Sequence, residues 1–388
     1  METQQGVVSS TMKGIDVGKI EQELSALWQQ ASGDKKEAEA AGSGVTRACV
    51  LNLLVYATAR EQRDEVAHIL GEVFEQNPCR ALTLVADDDA AGEAGLTARV
   101  SSHSRDLGKD LKQICGEQVT IEAKGTAINS VASALAPLLV PDVPVFLWWK
   151  DIPHYEDKLF DRMTALADRL VIDSCSFDHP HDDLKRLAQL IRERPDFVRT
   201  SDLNWGRLTS WRTLIASFWD VPDYLPLLNE IDRITVEYDA PDIAREELAA
   251  NALLIVGWLA SRLKWTINAN GFAQEGDTKR FTLQAGDGHK INVEMRACGG
   301  KKETDGLLGF VTLASEANGA KFYVGLSDDG KRLETEADIG DKHNVGRIIA
   351  YEARSEGQRL SRELSFLARD AIYEAAVSAA AEMIASIK

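Results

Sequence analysis

Six consecutive residues, Asp178-His179-Pro180-His181-Asp182-Asp183, put two imidazoles and three carboxylates side by side and form the best metal-ligating candidate in the chain. A metal site needs ligands that converge from separate parts of a fold, with a second layer of groups holding them. A loop entering a helix, with Asp182 or Asp183 at the positive N-terminal end, accounts for the same residues. The chain is therefore read without a metal. Asp87-Asp88-Asp89 stands where a strand is predicted to end, a usual ligand position in α/β sheets. With no phosphate loop beside it, the triplet reads as a solvated turn. Of the two G-x-G elements, Gly42-Ser43-Gly44 precedes a strand and Gly286-Asp287-Gly288 sits in a hairpin. A dinucleotide fingerprint instead follows a strand and opens a helix, so that backbone N–H groups meet the pyrophosphate. Neither a G-x-S-x-G elbow nor an H-E-x-x-H helix occurs, and no nucleophile or general base is nominated.

Arginine and tryptophan carry more information. The stretch SDLNWGRLTSWRTLIASFW, Ser201 to Trp219, is predicted as one helix capped by Ser201 or Asp202. Trp205, Leu208, Ile215 and Trp219 fall in one line, and Trp211 and Phe218 widen it, so the helix is expected to be interdomain core. Arg207 and Arg212 then require carboxylate partners or a planar anionic ligand, because an unpaired buried guanidinium is costly. In PDVPVFLWWK, Pro141 to Lys150, a central strand ends in Trp148 and Trp149. Adjacent strand residues point to opposite faces, so one tryptophan is expected in the core, and the other either packs in the other domain or reaches the surface. There, beside Lys150, it is a candidate interface anchor, as tryptophan is enriched at binding hot spots.

The elements that must position these residues alternate. Strands are predicted near 47–56, 80–86, 96–102, 117–122, 143–149 and 169–173, and helices near 60–74, 126–136, 155–167 and 182–194. This is an α/β domain with a mostly parallel or mixed sheet. Beyond Pro226 the strands 234–238, 280–284, 290–296, 308–313, 321–326 and 332–335 follow. With a helix over 242–263 and a closing helical stripe Leu360, Leu364, Leu367, Ala371 and Ala375, they predict an α+β domain with an antiparallel meander and long helices. Ahead of both, Ile20, Leu24, Leu27 and Trp28 form the stripe of an amphipathic helix that must dock. An Ala, Gly and Glu run over 31–44 reads as a flexible link. The expected domains are 1–44, 45–222 and 223–388.

A chain of 388 residues exceeds one typical core, in keeping with that division. The net charge of −17 opposes nucleic acid and anionic membranes. The longest apolar run, Ala252 to Ala260, is too short to span a bilayer, and the N-terminus lacks a signal-peptide core; the expected location is cytoplasmic. Five scattered cysteines without a C-x-x-C pair argue against a disulfide framework or zinc ribbon and for small buried side chains, a thiol switch being the alternative.

Four blocks resemble one known family. They are NPCRALTLV (Asn77 to Val85), LLVPDVPVFLWW (Leu138 to Trp149) with VIDS (Val171 to Ser174), DLNWGRLTSWR (Asp202 to Arg212) and GWLASRLKW (Gly257 to Trp265). The chain is similar over Arg47 to Ala376 to the glucose-6-phosphate dehydrogenase assembly protein family, OpcA, including the closing ELSFLARDAIYEAA. It departs where Asn77 replaces a usual histidine and where Lys264 replaces a usual glycine, which implies a different end to that helix. The resemblance implies a non-catalytic protein without cofactor that binds glucose-6-phosphate dehydrogenase and favours its active oligomeric state. The alternative is an α/β enzyme or sensor binding a sugar phosphate or nucleotide.

Overall fold

The apolar runs LNLLVYA (Leu51–Ala57) and CRALTLVAD (Cys79–Asp87) become strands in the buried middle of a nine-stranded sheet. The computed structural model describes residues 6–13, 16–32, 46–47, 49–58, 60–87, 95–106, 112–153, 156–193, 199–240, 244–298, 308–351 and 354–387. The expected link from residue 33 onward, Gly42-Ser43-Gly44, Asp88-Asp89 and the side chains of Trp28 and Cys115 lie outside them.

The first sheet comprises β1 (Gly6–Lys13), β2 (Thr46–Arg47), β3 (Leu51–Ala57), β4 (Cys79–Asp87), β5 (Gly95–Asp106), β6 (Lys112–Lys124), β7 (Val145–Trp149), β8 (Arg169–Ile172) and β9 (Arg199–Asp202). Its order is β1-β5-β6-β4-β3-β7-β8-β9, with β2 on β6. Strands β6, β4, β3, β7 and β8 run parallel, while β5 pairs antiparallel with both β1 and β6. Counted from β3, the parallel run has the 3-2-1-4-5 order of a doubly wound sheet, and the order reverses between β3 and β7. Every residue of β3 is buried, as expected of a strand covered on both faces. Its one polar member, Asn52, is satisfied by the backbone: Nδ2 donates to Val140 O at 2.9 Å and Oδ1 accepts from Val140 N at 2.9 Å.

The N-terminal stripe docks as its periodicity requires. Ile20, Leu24 and Leu27 of the helix Val17–Ser32 are buried, and Glu21 accepts from Arg80 Nη1 at 2.7 Å. Arg80 also reaches Glu117 through Nε at 2.8 Å and Leu138 O through Nη1 at 2.8 Å, so the buried guanidinium is paired with two carboxylates. The strands β1 and β9 carried no clear sequence signal, being short or polar.

The second sheet comprises β10 (Arg233–Asp239), β11 (Thr266–Ile267), β12 (Ala273–Glu275), β13 (Thr278–Gln284), β14 (Lys290–Cys298), β15 (Leu308–Ser315), β16 (Ala320–Leu326), β17 (Arg332–Ile339) and β18 (Lys342–Ala350). Their order is β11-β13-β14-β10-β15-β16-β17-β18, with β12 on β13. The expected antiparallel pairing holds for β13 with β14 and from β15 to β17, and β18 extends it by a strand that was not expected. Between β10 and β14 the pairing is parallel, which requires a long crossover, and the helix Ala250–Leu263 lies in it. The C-terminal helix Ala371–Ala385 packs against that helix so closely that a Cβ on Gly257 would stand 2.4 Å from Ala376 O.

The two compact units do not follow the expected boundary at 222/223. One comprises Met1–Ile172, Asp196–Ser201 and Arg354–Arg369, and the other Asp173–Pro195, Asp202–Ala353 and Asp370–Lys388. Several expected helices also differ. Instead of one helix over 201–219, β9 ends at Asp202, whose side chain caps the helix Leu203–Arg207 by accepting from Asn204 N at 2.9 Å. A second helix, Thr209–Ser217, follows. The closing stripe divides into helices Glu356–Glu363 and Ala371–Ala385 because each has its own N-cap: Ser355 in a capping box with Gln358, and Asp370 accepting from Ile372 N and Tyr373 N. The helix expected from 242 begins at Ala250. It ends as a glycine-terminated helix would: Lys264 takes φ 57° and ψ 38°, the left-handed C-cap conformation, so the glycine-to-lysine departure leaves that ending in place.

Candidate functional site

A doubly wound sheet binds its ligand outside the strand ends at the order reversal, here at Ala57 of β3 and Trp149 of β7. The segment following β3, Thr58-Ala59-Arg60-Glu61-Gln62, holds no glycine that would let backbone approach a pyrophosphate. Trp148 and Trp149, 0% and 2% exposed, are both core residues. That corrects the expected surface tryptophan: the strand is covered on both faces, so opposite directions both lead inward. Trp149 stacks on Tyr56 at 3.8 Å between ring centroids and meets Phe160 edge-on at 5.0 Å.

Lys150, at the tip, is held internally as well. Its Nζ lies 3.2 Å from Glu65 Oε1 and 3.0 Å from Glu356 Oε1, and 5.3 Å from the centroid of the Trp148 ring. Glu356 opens the helix Glu356–Glu363, where a carboxylate also suits the helix dipole. The tip thus ties the strand end to two helices of its own unit.

Arg207 and Arg212, the other candidates, meet different fates. Arg207 forms a two-pronged pair with Asp173, Nη1 to Oδ1 at 2.6 Å and Nη2 to Oδ2 at 2.7 Å. Burial works against its charge, but the Asp173 carboxylate outweighs this and holds the guanidinium above its ordinary range. Arg212 lies flat over Trp205, 3.4 Å from the ring centroid, and donates to Trp205 O at 3.2 Å. Asp202, buried beside the pair, accepts from Ser174 N at 3.0 Å and from the Tyr373 hydroxyl at 3.1 Å. Trp205 Nε1 donates to Asp370 Oδ2 at 2.9 Å. The block from Asp202 to Arg212 therefore ties the helix Ala371–Ala385 to the loop 173–174 within one unit.

Residues 71–189 match the family described as the glucose-6-phosphate dehydrogenase subunit N-terminal domain, OpcA, and residues 198–377 match its C-terminal domain. The chain belongs to the OpcA family. An OpcA protein of Synechocystis sp. (strain ATCC 27184 / PCC 6803 / Kazusa), assigned by name to the OxPP cycle, is 30% identical over 321 residues, 80% of this chain and 64% of its own length. One from Nostoc punctiforme (strain ATCC 29133 / PCC 73102), with the same naming, is 33% identical over 233 residues, 58% of this chain and 47% of its own. The chain thus spans 47% to 64% of the length of these curated relatives. Among solved structures, an oxidoreductase from Sinorhizobium meliloti has a TM-score of 0.50 at 10% identity, covering 87% of this chain and 96% of its own. At that identity the likeness is one of fold alone.

At the end of the region that matches the OpcA N-terminal domain, the His179/His181 cluster is also accounted for locally. His181 Nε2 accepts from Leu248 N at 2.8 Å, and burial pushes its pKa down, with Glu247 opposing. His179 Nδ1 lies 3.5 Å from Glu247 Oε1. Among the described residues no group of three or more His, Cys, Asp and Glu is placed to hold a metal ion. Cys79 is buried and Cys49, Cys175 and Cys298 are half-buried, and none of these four is in a disulfide among the described residues. No helix among the described residues is long and apolar enough to cross a membrane.

Sequence reasoning missed Glu65, Glu356, Asp173 and Tyr373. Glu356 is 206 residues from Lys150 and Tyr373 is 171 from Asp202, so no local spacing signals either pairing.

Asp202 gives the OpcA-family block a pH dependence. Burial, then the nearby Asp173 charge, raises its carboxyl from 3.8 to about 6. The folded state therefore holds the proton more tightly than the unfolded chain, and the destabilising ionised form is relieved as pH falls through 6 towards 3.8. Between pH 7 and pH 5 this relief is worth about 1 kcal/mol. Urea unfolding of Asp202→Asn is expected to lack it, so the gap between the variant and the parent should move by that amount on acidification; a pH-independent gap would contradict the assignment.

Proposed function

We propose that this chain is a non-catalytic assembly factor that binds glucose-6-phosphate dehydrogenase and favours its active oligomeric state, within oxidative pentose phosphate metabolism. The observation that carries the reading is the match of two consecutive regions, 71–189 and 198–377, to domains described as a glucose-6-phosphate dehydrogenase subunit. The OxPP-cycle naming of the relatives supports it. So does the internal engagement of Arg207 and Arg212, through which the family block Asp202 to Arg212 builds a shape. On this reading the protein acts in the cytoplasm.

Such a factor acts only by preferring one state of the enzyme, since equal affinity for two states shifts neither. A preference of about 1–3 kcal/mol changes an apparent affinity about 5- to 150-fold. Mixed with the purified dehydrogenase of the same organism, the chain is expected to co-elute with it at a mass exceeding either component and to raise its activity or stabilise its oligomer. Separate elution with unchanged activity and oligomer stability would refute the proposal.

A further inference from the structure

One cleft in the first unit has a lining that neither the family blocks nor the core explain. The helix Arg60–Gln76 overhangs β5 and β6, leaving a space of about 310 Å³ lined by Arg63, Asp64, His68, Arg99, Ser101, His103, Gln118 and Thr120 among others. In the register, Arg99 faces Thr120, Ser101 faces Gln118 and His103 faces Gly116. Arg99, Ser101 and His103 are alternate residues and so share one face of the sheet. Ser101, His103, Gln118 and Thr120 are only 8%, 6%, 5% and 6% exposed. A sheet face under a helix is ordinarily apolar, and four buried polar side chains in one patch are more hydrogen-bonding capacity than such a face needs.

The floor is ordered before any ligand arrives. Gln118 Nε2 donates to the Thr120 hydroxyl at 3.1 Å, and the His103 ring packs on Phe74 at 4.7 Å. Burial lowers the pKa of His103, which makes the imidazole a neutral hydrogen-bonding group. Cations stand at the rim. Arg63 is committed through Nε to Asp64 at 3.1 Å and through Nη1 to Glu122 at 2.8 Å, while its Nη2 donates to nothing among the described residues. Arg99 is exposed and has no ion pair among the described residues. His68 lies 3.9 Å from Glu72.

The geometry points to a binding site for a small phosphorylated polyol: the phosphate on Arg99 and the open edge of Arg63, the hydroxyls on Ser101, Gln118, Thr120 and His103. Arginine suits planar recognition of a phosphate face, and a floor mixing donors with acceptors suits a molecule that offers both. The volume is near the lower end of ligand pockets, about 300–1,000 Å³, which fits a monosaccharide phosphate and excludes a dinucleotide. The site lies apart from the strand-order reversal between β3 and β7, and it stands whether or not the dehydrogenase is the partner.

The test uses the full chain alone, without the dehydrogenase. Titration calorimetry is run with glucose 6-phosphate, ribose 5-phosphate and glycerol 3-phosphate, beside glucose and inorganic phosphate. At least one phosphorylated polyol is expected to bind saturably, with a dissociation constant raised tenfold or more by Arg99→Ala and also raised by Thr120→Val. Glucose should not bind, and inorganic phosphate should bind more weakly. Arg99 is a rim residue, so Arg99→Ala should keep the parent circular dichroism and melting curve. The proposal is overturned if none of the three binds, if binding is unchanged in Arg99→Ala, or if inorganic phosphate binds as tightly as the esters.

Discussion

Trp149→Ala is expected to destabilise the chain by about 3–5 kcal/mol, the range for truncating a large aromatic in a packed core. Trp149 is 2% exposed, stacked on Tyr56 and edge-on to Phe160, so alanine opens a cavity between a strand end and a helix and removes both ring–ring interactions. Neighbouring strands fix the backbone around that space, because Trp149 pairs with Tyr56 in register. The site therefore collapses poorly. A companion variant separates packing from polarity. The indole N–H of Trp149 is buried without a hydrogen-bond partner among the described residues. Trp149→Phe keeps a ring against Tyr56 and removes that N–H, so it should lose roughly half as much or less. Denaturant midpoints followed by circular dichroism read both. A stable Trp149→Ala chain that had lost only partner binding would mean that the side chain serves an interface after all.

Arg207→Ala is expected to cost a similar amount, about 3–5 kcal/mol, for an electrostatic reason. The pair with Asp173 is largely buried, with side chains 15% and 14% exposed, and Asp202 lies beside it fully enclosed. Removing the guanidinium leaves the Asp173 carboxylate near Asp202 without the charge that Arg207 supplied. Replacing both members, as Arg207→Met with Asp173→Leu, should recover most of the loss, since a buried pair is hard to break yet contributes little net stability. A double-mutant cycle would show the coupling. If Arg207→Ala unfolded at the parental midpoint while an anionic ligand lost affinity, the guanidinium would belong to a binding site and the structural reading would fail.

Both predictions concern residues that the sequence nominated for binding and the fold assigns to structure. The types were legible and the partners were not. Burial alone asked for a carboxylate or a planar anion on Arg207, yet nothing in DLNWGRLTSWR specifies Asp173, which is 34 residues away. The cleft under the helix Arg60–Gln76 left a faint trace, the alternation Arg99, Ser101, His103, which reads as an ordinary wet strand face until a helix is found lying over it.

The sequence by itself determined which segments are strand or helix wherever one periodicity ran uninterrupted, as in β3, β4, β7 and the helices after β3 and β8. It also carried the family, through tryptophan and arginine blocks that survive in order along the chain. Local chemistry sets these features, because backbone hydrogen bonding and apolar spacing act within a few residues. Tertiary structure alone decided that both tryptophans at the strand tip are enclosed, that Lys150 meets Glu356, and that the stripes over 201–219 and 360–375 each divide at a cap. Those outcomes depend on which distant surfaces pack together, and a side chain's exposure is a property of its neighbours in space.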